Sequence, residues 1–239
     1  MSWNEAIHLY AGPTCWTMPA AADLVVQPPA AAGDMLRRRH DTPCTLVLID
    51  GFFDQIRSPW HKELLLLRAR GFRLIGAASM GALRAAELDT LGMLGVGNVY
   101  RAFRAGRLTG DDEVAVSHAP AELGYRPLTK AMVDIRAQLI EEVRSRRMAH
   151  GLARCLLDDA RAVPFRDRDR ACLARIAVRH AVRPDLLDPD TPGLKMRDAI
   201  AAINVARSLR HIPPAAALPP PVTRYLQTLM ANETEAIAI

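Results

Sequence analysis

The chain has 239 residues, of which 50% are hydrophobic and 24% charged, enough for one large domain or for a domain plus an extension. No apolar run approaches the roughly 20 residues of a membrane span, and Met1-Ser-Trp-Asn-Glu lacks a charged-then-apolar signal pattern; the expectation is a cytoplasmic protein with no membrane partner. The formal charge of +5 falls wholly in residues 121–239, but its arginines alternate with acids, as in Arg166-Asp-Arg-Asp-Arg170, and lack interleaved aromatics, which argues for solvated helix faces over nucleic-acid binding.

The first half repeats one unit. Ile7–Ala11 reads as a strand ending at Gly12-Pro13, and Asp23–Gln27 as a weaker one. Gly33–His40 reads as a short helix exposing Arg37, Arg38 and Arg39. Thr45–Asp50 is a buried strand running into Gly51-Phe52-Phe53. Pro59–Arg70 is a helix with proline suited to its first turn, with Leu64, Leu65 and Leu67 toward the sheet and Gly71 at its end. Arg73–Ala78 is the next strand, and Gly81–Leu91 the next helix. Gly92–Gly97 and Gly106–Gly110 read as glycine-punctuated connections, with Tyr100, Phe103 and Leu108 as packing residues between them. This alternation predicts an α/β fold: a mostly parallel, Rossmann-like sheet flanked by helices, over residues 1–120.

From Pro127 the period becomes helical. Met132, Ile135, Leu139, Ile140 and Val143 make one stripe. Cys172, Leu173, Ile176 and Ala177 mark a second helix, and Ala199, Ile203, Ala206 and Leu209 a third. Residues 212–222 are proline-rich and extended, and Thr223–Met230 suits a short helix. Residues 121–239 thus read as an all-helical C-terminal extension for partner binding, with a frayed tail beyond Asn232.

Gly76-Ala-Ala-Ser-Met-Gly-Ala-Leu-Arg-Ala-Ala-Glu87 is the most informative stretch. It reads as strand, tight turn and helix start. It sets Ser79 at the carboxyl end of a strand, where open α/β sheets bind ligands, beside the free N–H groups of a new helix. The standard hydrolase elbow has glycine two residues before the serine; Ala77 stands there. A serine that only caps the helix is the competing reading. The strand ends Gly12–Thr14, Asp50–Phe53 and Ala77–Met80 should converge on one edge and form a pocket. Asp111-Asp112-Glu113 reads as a helix cap, with magnesium binding or orientation of a base as alternatives. Cys15, Cys44, Cys155 and Cys172 form no C-x-x-C pair and no zinc spacing, so no metal and no cofactor is expected. Cys15, after Gly12-Pro-Thr14, is the thiol best placed to react. His118 shows no partner in the sequence. Lysine is scarce, with only Lys62, Lys130 and Lys195.

Ala11-Gly-Pro-Thr14, Ile49-Asp-Gly-Phe-Phe53, His61-Lys-Glu63, the stretch Gly71–Leu88, Gly92-Met93 and Asp111-Asp-Glu-Val-Ala-Val116, in that order and spacing, resemble the TfuA-like family over residues 7–135. The resemblance implies an accessory of YcaO enzymes, which activate backbone amides with ATP. Together they install thioamides in ribosomal peptides or proteins. It implies a YcaO-family partner that the chain binds and stimulates. It also implies sulfide release by hydrolysis of a thiocarboxylated ThiS-like sulfur carrier, with the precursor peptide as a further partner. Ala78-Ser-Met-Gly-Ala82 is also similar to the nucleophile segment of Clp-type serine peptidases, but the histidine motif of that family is missing.

On this basis Ser79 is the expected nucleophile. The N–H groups of Met80 and of Gly51 or Phe52 are the expected oxyanion donors, with Gly81 in the same turn. His61 is the first candidate base, because it lies in the resembling motif, and Lys62 the second. Glu63, Glu87, Asp111, Asp112 and Glu113 are expected to orient the base or to pair with Arg84. A non-catalytic activator that docks a partner's tail in the same cleft is the alternative, and a peptidase-like hydrolase the third reading.

Overall fold

Central strands buried on both faces decide the layers of this protein. In the computed structural model, which describes residues 3–37, 42–52 and 56–235, five strands form one parallel sheet in the order β2-β1-β3-β4-β5. They are β1 (Ile7–Tyr10), β2 (Leu24–Gln27), β3 (Thr45–Leu48), β4 (Arg73–Ala77) and β5 (Leu94–Val96). The expected Arg38, Arg39 and His40 at the first helix, and Phe53 at a strand end, lie outside the described residues.

The helices are α1 (Asp34–Arg37), α2 (His61–Ala69), α3 (Met80–Leu88), α4 (Gly97–Arg104), α5 (Met132–Arg144), α6 (His150–Arg161), α7 (Arg170–Arg179), α8 (Leu194–Leu209) and α9 (Arg224–Glu235). On one sheet face Tyr10, Leu46, Leu48 and Leu74 pack against Leu64 and Leu67 of α2 and Ala85 and Leu88 of α3. On the other face Ile7, Leu9, Val47, Ile49, Ile75 and Ala77 meet Ala199, Ala202, Ile203 and Ala206 of α8. Alanine at three of those α8 positions lets the helix lie close against the strands. The architecture is thus the expected α/β fold followed by helices, and α8, from the second half of the chain, supplies the second layer of the sheet.

Several elements differ from the sequence reading. Leu94-Gly-Val96, expected as a connection, pairs with Ile75–Ala77 as an edge strand; three residues beside glycines carry too little pattern to register as one. The stretch with Tyr100 and Phe103 is α4, with Val99 and Phe103 buried. Helix α6 was not anticipated. It buries Ala153, Leu156 and Ala160 against Met132, Ile135 and Leu139 of α5 and Leu173 and Ile176 of α7. Ile140, placed in the α5 stripe, is exposed, because the buried stripe follows Met132, Val133, Ile135 and Leu139. Residues 212–222 contain no regular element. They run across the molecule, held by Arg73 on the carbonyls of Leu209 and Ile212 and by Lys62 on that of Pro221, before α9 buries Leu229 in the α2–α3 core.

Glu63 of α2 is fully buried, and its Oε2 accepts the N–H groups of Gly33 at 2.9 Å and Trp60 at 3.2 Å. Its Oε1 has no partner among the described residues. Burial pushes the carboxyl up to about 7, against the two N–H bonds that favour its charge. Between the ordinary carboxylate range and about 7 the folded protein therefore holds a proton that the unfolded chain has lost. Stability falls as pH rises through that window, by up to about 3 kcal/mol at about 1.4 kcal/mol per unit. Denaturant melts at about pH 5 and about pH 8 should show this loss in the wild type and most of it removed in Glu63→Gln. An equal pH dependence in the two proteins would refute the assignment.

Candidate functional site

In this strand order the chain leaves β1 to one side for β2 and to the other for β3. The switch point between β1 and β3 is where ligands sit outside the carboxyl ends of the strands. Three segments meet there: Gly12–Thr14 after β1, Asp50–Phe52 after β3, and Ala78–Met80 after β4.

The β4–α3 turn is tight and strained. Ala78 adopts φ 65°, a left-handed conformation that costs a non-glycine residue roughly 1–2 kcal/mol. It turns the backbone so that Ser79 becomes the residue that opens α3. Gly81 holds the turn against the sheet. A Cβ there would lie 1.8 Å from the Leu48 carbonyl oxygen, and the Gly81 N–H donates to Ile49 at 3.1 Å. The Ala82 N–H donates to the Ser79 carbonyl at 2.9 Å. The Met80 N–H, first in α3, has no acceptor among the described residues. The Phe52 N–H donates to Ala30 at 3.0 Å, which leaves Gly51 as the other expected donor.

A cavity of about 360 Å³ opens on this edge. Its wall includes Pro13, Pro29, Asp50, Gly51, Phe52, Ile56, Ser79, Val116, Ser117, His118, Phe165 and Arg166. Asp50 shapes it. This buried carboxylate accepts the N–H groups of Gly12 at 2.9 Å and Thr14 at 3.0 Å, and the Thr14 hydroxyl at 2.6 Å. It thereby ties the loop after β1 to the end of β3. Cys15, next in that loop, is buried. Burial first and the Asp50 charge second push its thiol well above the ordinary range, against the nearby Lys195, so it is held as a thiol and not as a reactive thiolate.

The structure separates the residues expected to work together. Ser79, Gly51 and Phe52 line the cavity. Met80, Arg84, Glu87 and Asp111 line a neighbouring recess with Ser58 and Leu83. His61, Lys62 and Arg84 line a third with Trp60, Thr223 and Tyr225. His61 Nε2 meets Glu87 Oε2 at 2.8 Å, and Arg84 donates to Glu87 at 2.7 Å, Pro59 at 2.7 Å and Ser58 at 3.0 Å. Burial works against it, but these bonds from His61 and Arg84 hold the Glu87 carboxyl below its usual range. The network fastens the start of α2 to the outer face of α3. Neither His61 nor Lys62 is part of the wall around Ser79.

Asp111, Asp112 and Glu113 form a 3₁₀ turn after Gly110, and their side chains diverge. Asp112 pairs with the buried Arg168 at 3.6 Å and Glu113 with Arg136 at 2.9 Å, so the turn is clamped to the helices that follow. Among the described residues no group of His, Cys, Asp and Glu gathers as a metal site. The clamp places the next residue, Val114, with its carbonyl oxygen toward the serine: Ser79 Oγ donates to it at 3.5 Å, and Lys195 Nζ of α8 donates to it at 2.9 Å. Ser79 and Lys195 are both 3% exposed.

Sequence reasoning missed three residues here. In the sequence Asp50 stands at a strand end inside the resembling motif Ile49-Asp-Gly-Phe-Phe53, with no role of its own. His118 showed no partner, yet it lies in the wall, with Nδ1 on the Ala119 carbonyl at 2.8 Å and its ring 6.0 Å from that of Phe52. Lys195 was noticed only as a rare lysine. That rarity was the available signal, because a chain that meets almost every need for a cation with arginine keeps lysine where a titratable or compact cation is required.

Fold and site together define an α/β protein that carries a serine on a strained strand-to-helix turn at the switch point of a parallel sheet. The sequence model of the TfuA-like protein family matches residues 50–169, and the chain belongs to that family. The match takes in Asp50, the serine turn, Val114 and His118, and it ends before α8. No curated protein matches the chain. Membership supports a general role as an accessory of a YcaO-type partner in thioamidation. Among the described residues no helix is long and apolar enough to cross a membrane.

Proposed function

We propose that the chain releases sulfide for a YcaO-family partner by hydrolysing a thiocarboxylated ThiS-like sulfur carrier at Ser79. The observation that carries this reading is the placement of Ser79: on a turn held at φ 65° by Ala78, at the opening of α3, in the wall of a cavity of about 360 Å³. The cavity suits a narrow C-terminal tail. Pro13, Pro29, Phe52, Ile56 and Phe165 offer apolar walls, and Arg166 and His118 offer donors to an anionic end group. The serine oxygen attacks the carbonyl carbon. The Met80 and Gly51 N–H groups receive the developing negative charge on oxygen, at the positive end of α3. The carbon–sulfur bond then breaks, and water releases the carboxylated carrier.

The test is sulfide release from the thiocarboxylated carrier by the full chain, with and without a YcaO partner. The expected result is release above the uncatalysed rate in both cases, inhibited by the carboxylated carrier as product. Stimulation of the YcaO partner without any sulfide release would overturn the reading and make the cavity a docking recess for a partner's tail.

A further inference from the structure

Neither His61 nor Lys62, the bases that the sequence nominated, shares a hydrogen-bond partner with Ser79: His61 meets Glu87 and Lys62 the Pro221 carbonyl. A lysine from the opposite layer does share one. Lys195 lies in the first turn of α8, almost fully buried, and its ammonium nitrogen and the Ser79 hydroxyl share one acceptor, the Val114 carbonyl. The shared carbonyl oxygen holds the two groups in one neighbourhood at the end of the sheet. We propose that Lys195 is the catalytic base of Ser79, so that α3 and α8 assemble a serine–lysine dyad across the end of the sheet; this rests on the sulfide-releasing reading.

Three observations converge on it. Lysine is used three times in the chain against 28 arginines, and arginine at this position could not give up a proton. Among the described residues no carboxylate forms a salt bridge with Lys195 Nζ; the nitrogen meets a neutral carbonyl instead. The surroundings also fix the helix end. Asp134 of α5 accepts the Lys195 backbone N–H at 2.9 Å, and Asp198, one turn along α8, accepts the Val99 N–H at 2.7 Å. Cys15 lies near both Lys195 and Asp50, and Lys130, Asp134 and Asp190 share a small recess with the lysine.

The proton balance closes without a further reactant. Lys195 takes the Ser79 proton as the oxygen–carbon bond forms. It passes that proton to sulfur as the carbon–sulfur bond breaks, so sulfur leaves as hydrosulfide. The amine then takes a proton from the water that opens the acyl-serine and returns it to Ser79 Oγ. The sum is thiocarboxylate plus water giving carboxylate, hydrosulfide and one proton.

The test separates the dyad from the choice of substrate. A fluorophosphonate probe forms a bond from serine oxygen to phosphorus, with loss of fluoride, wherever a serine is activated. The full-length chain should be labelled at Ser79. Lys195→Met should label at least about 100-fold more slowly, within the 10²–10⁴ range of general-base catalysis. Lys195→Arg keeps the cation and a donor for Val114 but cannot accept a proton, and it should be equally slow. A primary alkylamine added to Lys195→Ala should restore part of the rate. Circular dichroism melts confirm that each variant is folded, and amine rescue within one folded variant keeps the test decisive if another fails to fold. The dyad is refuted if Lys195→Met labels as fast as the wild type, if Lys195→Arg does, or if wild-type Ser79 labels no faster than the background seen in Ser79→Ala. Labelling that depends on Lys195, with no sulfide released from the carrier, would uphold the dyad and remove the carrier as its substrate.

Discussion

Ser79→Ala will abolish sulfide release, by at least about 10³-fold, while the protein stays folded. The size follows from the loss of the nucleophile in a covalent mechanism, where removing one member of the catalytic set removes nearly all of its benefit. The stability side is a separate argument. The Ser79 hydroxyl reaches the Val114 carbonyl at 3.5 Å, the outer edge of a hydrogen bond, and that carbonyl keeps its 2.9 Å bond from Lys195 when the hydroxyl is gone. No buried acceptor is orphaned, so the cost is under about 1 kcal/mol, or a few degrees of melting temperature for a chain of this size. Sulfide release and a thermal melt on the same preparation check both halves. Undiminished release by the folded variant would end the catalytic assignment of Ser79. A variant that melts far below the wild type would mean instead that the hydroxyl mainly holds the turn together.

What was legible in the sequence was local. Leu46–Ile49 is a continuous apolar run bounded by turn residues, which fits a strand buried on both faces. The step from Leu74-Ile75 through Ala78-Ser79 into Ala82-Leu83 changes period within a few residues. Leu94-Gly-Val96 was not legible, because an edge strand of three residues has no period to detect. The site divides in the same way. Ser79, Gly51 and Phe52 reach one cavity because each stands at a strand end, and strand ends of a parallel sheet share an edge by topology. His61 does not join them: it opens α2, and its ring meets Glu87 of α3. Lys195 was out of reach for the opposite reason. It comes from a helix whose alanine face reads as ordinary core, and nothing in the spacing of residues says which layer that helix covers. Packing, not pattern, brings it to Val114. The Asp111–Val116 motif illustrates the difference. Its carboxylates were the visible feature, but they fix the turn through Arg136 and Arg168, and it is the backbone carbonyl of Val114 that faces the serine and the lysine.

Asp50→Ala should be the most damaging single substitution at this edge of the sheet for stability. The carboxylate is buried and takes three donors, the N–H groups of Gly12 and Thr14 and the Thr14 hydroxyl, at 2.6–3.0 Å. Hydrogen bonds to a charged group contribute about 1.5–3 kcal/mol each, and buried donors left without a partner cost a further penalty. Part is recovered as the loop after β1 moves toward water. A net loss of about 4 kcal/mol is expected, a large share of the 5–15 kcal/mol by which a domain is typically stable. That corresponds to about 10 °C in melting temperature. Asp50→Asn should behave very differently. Its amide oxygen still accepts both N–H groups, and its NH₂ group donates to the Thr14 hydroxyl, which rotates to accept. Only the charge is lost, and the cost should be near 1 kcal/mol. Denaturant titrations of the two variants separate the explanations. If Asp50 acts by holding the loop, the asparagine variant keeps both its stability and Ser79 labelling by the fluorophosphonate, whereas alanine loses the first and, with Pro13 displaced from the cavity wall, the second. If both variants are stable but labelling fails in asparagine as well, the charge of Asp50 acts on the serine–lysine pair directly, and its role is electrostatic and not architectural.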